Sequence, residues 1–170
     1  AGFIHTPGLK VVYPSTVADA YGLMKAAIRD DDCVLFFEHK KAYRLFRQEL
    51  PDDDYTVPLG RARVARAGRD LTVIAYGLML HYALEAAEVV AAEGISAEVI
   101  DLRTLVPLDR ATILASVEKT SKVLIVHEDT RTGGFGGELA ALVAEEAFEH
   151  LDGPVRRLTG PDVPAMPFAK

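Results

Sequence analysis

The residues able to do chemistry fall into three groups. The first is the acidic run Asp30-Asp31-Asp32. At a helix end, unpaired main-chain carbonyls beside such carboxylates would offer oxygen ligands to K⁺, Mg²⁺ or Ca²⁺. The spacing matches no EF-hand loop, and acidic runs also form ordinary solvated turns. The second group is the five histidines, His5, His39, His81, His127 and His150. None forms an HxxxH or HExxH pair, which argues against zinc catalysis. His5 precedes Pro7-Gly8 in a loop, where it can transfer a proton near neutral pH or simply bond main chain. His127, beside Glu128, ends an apolar run, a place that suits an interface or a helix cap as readily as a general acid.

The third group is the loop His127 to Glu138, HEDTRTGGFGGE, with four glycines among residues 133–137. It follows the apolar run Lys122 to Val126 and precedes Leu139 to Phe148, a helical composition, so it reads as the loop between a strand and a helix. It lacks the GxGxxG spacing of a dinucleotide site, and no Walker lysine follows. A phosphate at the helix start near Gly137 would meet Glu138. Close packing of the backbone is the better reading of these glycines.

The elements that must position these groups alternate regularly. Leu9 to Tyr13 reads as a strand stopped by Pro14, and Ser15-Thr16 with Asp19 opens a helix carrying Ala20, Leu23, Met24, Ala27 and Ile28 at helical spacing. Cys33 to Phe37 is the next strand, and the unit's other parallel strands are expected upstream of residue 1. Residues 38–69 are charged and irregular, with a short strand expected between Val57 and Val64, and read as a connection crossing a surface. Strands follow at Leu71 to Tyr76, Ala97 to Leu102, Val123 to Val126 and Val155 to Leu158. Between them lie helices from about Leu80 to Ala92, from the N-cap Asp109 to Lys119, and from about Gly137. Gly94 ends the first of these helices. The pattern predicts an α/β three-layer sandwich with a parallel sheet, preceded by the last α/β part of another domain.

Composition narrows the function classes. A net charge of −6 without a Lys/Arg cluster argues against a nucleic-acid surface. No apolar run reaches the ~20 residues of a membrane span. The single cysteine, Cys33, is expected to be buried and reduced, which fits a cytoplasmic setting. Both ends of the sequence enter mid-element, so it reads as part of a longer chain.

Taken together, HTPGLKVVYPST, AAIRDDDCVLFFEHKKAYR, DYTVPLGRARV, AEVIDLRTLVPLD, HEDTRTGGFGGELAA and RLTGPDVPAMPFA resemble the β subunit of thiamin-diphosphate-dependent 2-oxo acid dehydrogenases. FFEHKKAYR and GPDVPAMPFA look most like the branched-chain, 2-oxoisovalerate members. The resemblance divides the chain into the end of a pyrimidine-binding domain at 1–45, a linker at 46–64 and a transketolase C-terminal-like domain at 65–170.

It implies an oxidative decarboxylation of 2-oxo acids, with acyl transfer to lipoate on an acyltransferase component. Thiamin diphosphate and Mg²⁺ would be shared with an α subunit in an α2β2 heterotetramer. The glutamate and the HSQ-loop histidine that serve the cofactor would lie upstream, leaving no catalytic or cofactor-binding residue in this chain beyond His5 as an active-site neighbour. A structural potassium ion would be held at Ala27, Ile28, Asp30 and Asp32, the last often Asn in the family. Asp152, in the Leu151-Asp152-Gly153-Pro154 turn, would face a basic residue of the acyltransferase's peripheral subunit-binding domain. His127 and Glu128 would stand near contacts with partner subunits, including a second β subunit. The implied compartment is the bacterial cytoplasm, or the mitochondrial matrix in a eukaryote, with the bacterial setting favoured. Pyruvate or acetoin dehydrogenase subunits, a non-catalytic assembly and docking module, and a single-chain transketolase-like enzyme are the alternatives.

Overall fold

The computed structural model describes residues 2–164. Its first unit joins the parallel strands β1 (Lys10–Val12) and β2 (Val34–Phe36) through α1 (Val17–Ile28). Thr16 caps α1, its side chain accepting the Asp19 N–H, as the sequence suggests. One turn of helix, α2 (Ala42–Leu45), then leads into irregular chain that runs back along α1, where the Val57 N–H donates to the Gly22 carbonyl.

The second unit comprises β3 (Arg63–Arg66), β4 (Leu71–Ala75), α3 (Leu78–Ala91), β5 (Ala97–Asp101), β6 (Thr104–Val106), α4 (Arg110–Thr120), β7 (Val123–Thr130), α5 (Gly136–Glu146) and β8 (Arg156–Gly160). Its sheet has the order β3-β5-β4-β7-β8, with β3 antiparallel and the other strands parallel. Successive strand residues point to opposite faces. Ile74, Ile100 and Ile125 therefore pack with Ile113 and Val117 of α4 and with Leu139 and Val143 of α5. Val73, Val99 and Val126 pack instead with Leu80, Ala83 and Ala87 of α3. These are the expected three layers. Each fully buried Leu or Ile contributes roughly 1.5–3 kcal/mol relative to leaving it in water.

Four local expectations need correction. Between Val57 and Val64 only the last two residues enter a strand, and that strand, β3, runs on to Arg66 because its partner β5 lies beside it there. The chain at Thr104–Val106, too short a run to stand out, leaves the main sheet and pairs antiparallel with β1. The strand after Lys122 continues to Thr130, because pairing with β8 reaches Thr130 while pairing with β4 stops at Val126. The glycine-rich loop thus begins after Thr130, and His127 sits within the strand. Finally, Cys33 is exposed, since β2 starts only at Val34 and Cys33 belongs to the preceding turn. The end of RLTGPDVPAMPFA, from residue 165, lies outside the described residues.

Candidate functional site

The parallel strands deliver their carboxyl ends to one edge, the usual place for a ligand in an open α/β sheet. Here the first unit is seated on that edge. Ser15 at the start of α1 donates from Oγ to Asp101 at 2.7 Å and accepts the Gly77 N–H at 2.8 Å. His81 Nε2 donates to the Ser15 carbonyl at 2.7 Å. Tyr13 N–H donates to the Arg103 carbonyl. Two buried carboxylates, Asp19 and Asp101, share two guanidiniums across this seam: Arg103 reaches Asp19 at 3.1 Å, and Arg63 reaches Asp19 at 3.4 Å and Asp101 at 3.3 Å. Asp101 is 0% exposed. Burial pushes its carboxyl up to about 6; the Ser15 hydrogen bond and Arg63 oppose that rise, and Asp19 adds to it.

An aromatic column continues the seam. Tyr13 lies between Phe37 at 6.2 Å and Tyr76 at 5.5 Å, and Tyr76 in turn faces His127 at 6.3 Å and Phe135 at 6.4 Å. Burial, reinforced by the Asp129, Tyr13 and Glu128 charges, holds the Tyr76 phenol well above its ordinary value, so it stays neutral. At the outer end His39 Nε2 donates to Glu128 at 2.8 Å, while its Nδ1 accepts the Lys41 N–H at 3.2 Å. That tautomer makes the His39–Glu128 contact a hydrogen bond even when the imidazole is neutral.

His127 is 2% exposed, so it stands behind the surface that Glu128 presents. Its Nε2 accepts the N–H of Gly136, at the start of α5, at 3.2 Å. Gly134 and Gly136 press on the ring, and a Cβ at Gly136 would stand inside the imidazole's van der Waals surface. The glycines therefore serve close packing, as their failure to match a nucleotide fingerprint suggests.

The same loop forms one wall of a cavity of about 1070 Å³ whose opposite wall is the His5 segment. His5, Arg110 and Glu138 are its titratable lining residues, the rest being apolar side chains, Thr6 and glycines. Arg110 pairs with Glu146. The cavity offers one histidine for proton transfer, and its lining includes no serine, cysteine or lysine to act as nucleophile. With one acid and one imidazole, its lining does not make a complete catalytic set.

The remaining candidates lie elsewhere. Asp152 pairs with Lys122 at 3.2 Å at the opposite, amino-terminal edge of the sheet, beside a cavity of about 600 Å³ floored by Leu71, Ile95, Val123 and Leu124. The acidic turn holds a cation already: Lys10 Nζ stands 2.7 Å from Asp30 and 3.0 Å from Asp32. Its hydrogen bonds hold the Asp30 carboxyl below the usual range. Among the described residues no three His, Cys, Asp or Glu side chains converge on a metal-sized site. The Asp30 and Asp32 side chains are thus engaged by Lys10.

Sequence reading missed the Asp19–Arg63–Arg103–Asp101 cluster, whose outermost members, Asp19 and Arg103, lie 84 residues apart and which shares no spacing. It also missed Glu98, 2% exposed in the middle of β5 and held by Ser116, Lys119 and the Gly68 N–H. The available signal was an acidic residue at both Glu98 and Asp101 within one apolar strand.

This fold and its seam have known counterparts. The transketolase C-terminal domain profile matches residues 60–170, and the transketolase pyrimidine binding domain profile matches residues 1–45. The chain belongs to the transketolase C-terminal domain family. The seam is therefore the junction of a transketolase C-terminal domain with a segment similar to the pyrimidine binding domain. The 2-oxoisovalerate dehydrogenase subunit beta of Bacillus subtilis is 56% identical over 98% of this chain and 51% of its own length. The pyruvate dehydrogenase E1 component subunit beta of the same organism is 49% identical over 96% of this chain and 50% of its own. A solved split-gene transketolase, described as an inactive beta4 tetramer, superposes with a TM-score of 0.78 at 29% identity, over 95% of this chain and 51% of its own. The chain spans about half the length of these relatives.

Proposed function

We propose that this chain serves as part of the β subunit of a branched-chain 2-oxo acid dehydrogenase. The observation that carries the reading is the 56% identity with a 2-oxoisovalerate dehydrogenase β subunit, against 49% with a pyruvate dehydrogenase β subunit. In that role it joins an α subunit and a second β subunit in an α2β2 heterotetramer. The subunit decarboxylates a 2-oxo acid and passes the acyl group to lipoate on the acyltransferase component. Thiamin diphosphate, with Mg²⁺, supplies the electron sink for that chemistry. His5, Arg110 and Glu138 do not form a cofactor cradle by themselves, so His5 is assigned a neighbouring, proton-handling place. Potassium at the α1 turn is proposed as a structural ion on the main-chain oxygens of Ala27, Ile28, Asp30 and Asp32.

Asp152 is proposed to face a basic residue of the acyltransferase's peripheral subunit-binding domain, with Glu128 at a subunit contact and His127 supporting it from behind. The exposure of the Asp152 side chain supports this, and its bond to Lys122 would have to open on docking. Calorimetry of the assembled heterotetramer with that domain tests it. Asp152→Lys should weaken binding, and unchanged affinity would rule the contact out.

A second reading, a non-catalytic assembly module, draws on the split-gene transketolase described as an inactive tetramer of β chains. The two are separated by mixing the full-length subunit with its α partner: gain of decarboxylation supports the enzyme, and assembly without activity supports the module.

A further inference from the structure

The reading above leaves His127 only as a support behind Glu128, yet its side chain is tightly held at the carboxyl edge. It is 2% exposed, clamped between Gly134 and Gly136, and bonded through Nε2 to the first turn of α5. An acceptor Nε2 places the ring proton on Nδ1, which makes no close, well-aligned hydrogen bond. The ring therefore faces a helix N-terminus, where a positive charge is unfavourable, and only the main chain and carboxylate of Asp129 offset that cost.

The loop it holds has few other ties. Thr132 bonds Asp162 through its N–H at 2.9 Å and its hydroxyl at 2.8 Å, and Arg157 donates to the Arg131 carbonyl at 3.2 Å. These bonds anchor the beginning of the loop to the β8 side. Beyond them Gly133, Gly134, Phe135, Gly137 and Glu138 line the cavity opposite His5. We propose that His127 is a proton-operated latch on this cavity wall: neutral, its Nε2 holds the loop and the first turn of α5 closed, and protonated, it releases them.

The mechanism needs no transferred group other than one proton. Taken up at Nε2, it turns the acceptor into a donor facing the Gly136 N–H. Two donors cannot share that bond, and the ring cannot rotate away while Gly134 and Gly136 press on it. The loop must move instead. Asp129 on β7 and Arg157 on β8 bear on the ring; Glu128 on β7, the neutral Tyr76 after β4 and Glu138 in the first turn of α5 are the other titratable groups on the neighbouring elements. Burial is the largest influence and holds the imidazole below its ordinary value; Asp129 opposes it, and Arg157 assists it. His39 bonds Glu128 and does not touch the ring's Nε2 contact. The latch is independent of which 2-oxo acid the subunit serves.

Hydrogen exchange of the full-length subunit, corrected for the intrinsic pH dependence of exchange, reads the latch directly. Below the His127 pKa, amides of residues 133–139 should lose protection by up to about tenfold per pH unit, while those of β4 and α3 stay unchanged. His127→Gln keeps an acceptor that does not titrate, and the pH dependence of the loop should then be flat. His39→Gln should leave it in place. A loop whose protection ignores pH in the wild type, or falls equally in His127→Gln, would overturn the proposal. Should His127→Gln fail to fold, nitrogen NMR of the wild type decides: the Gly136 amide must shift with the same midpoint as the His127 ring. A Gly136 resonance that stays still through the His127 titration would equally overturn it.

Discussion

The Nε2 of His39 and the carboxylate of Glu128 meet at 2.8 Å, although 89 residues of chain separate them. His39 follows the last strand of the first unit, and Glu128 lies near the end of β7, so the bond closes the outer end of the seam. Glu128 is largely exposed, and pairs in such settings contribute roughly 0–1 kcal/mol. Glu128→Gln should therefore lower the unfolding free energy by less than about 1 kcal/mol, with the difference shrinking at high salt. Urea unfolding at low and high ionic strength checks this, and a loss of several kcal/mol would show the pair to be far better shielded from solvent.

At the inner end of the seam the sign of the pH effect is set by Asp101. Its carboxyl titrates at about 6 in the fold, above the ordinary 3.8. The native state therefore binds more protons than the unfolded chain between these values, and this group's contribution to stability falls as pH rises through that window. The shift corresponds to about 3 kcal/mol as an upper bound. Asp101→Asn, which cannot titrate, should remove this slope from a series of unfolding curves between pH 4 and 7, and an unchanged slope would assign it to another group.

Glu98 behaves oppositely. Burial tends to raise its carboxyl, but the bonds from Lys119, Ser116 and the Gly68 N–H outweigh burial and hold it below the usual range. Its stabilisation is present above the unfolded-state value and is lost as pH falls through the lower folded one. Glu98→Ala leaves Ser116 and the Gly68 N–H without their acceptor, while Lys119 can turn to solvent, and should destabilise by about 1–3 kcal/mol. Thermal unfolding measures this, and a change under about 1 kcal/mol would mean that water takes over the carboxylate's place.

Packing at the glycine loop gives a prediction independent of any titration. A methyl group at Gly136 meets the His127 imidazole, with Ile125 behind it, so Gly136→Ala should destabilise by about 1–3 kcal/mol through overpacking. Gly133→Ala meets no such neighbour but sits at φ 70, so its effect should be the smaller strain of a left-handed residue, about 1–2 kcal/mol. Equal destabilisation of the two variants in denaturant titrations would argue against the close approach to His127.

The layers of the fold were legible because they follow local rules. Val73-Ile74, Val99-Ile100 and Ile125-Val126 are apolar on both faces, as strands covered on both sides by helices must be. Thr16 and Asp109 cap helices through bonds to residues three positions ahead, a distance the sequence displays. β6 was hidden because three residues carry no usable period, and its partner β1 lies more than ninety positions away. Cys33 was misread because an apolar neighbour run does not say where the strand begins. The seam was illegible for a deeper reason. Asp19, Arg63, Asp101 and Arg103 look like surface charges one by one, and only the docking of two units buries the carboxylates together. His5 and the glycine loop are likewise brought to one cavity by that docking.

The central proposal concerns substrate, and the most direct test is a competition of 2-oxo acids. The full-length subunit, assembled with its α partner and supplied with thiamin diphosphate and Mg²⁺, should decarboxylate 3-methyl-2-oxobutanoate with a kcat/KM at least about tenfold above that for pyruvate, equivalent to ~1.4 kcal/mol of transition-state discrimination. A tenfold preference for pyruvate would contradict the branched-chain assignment.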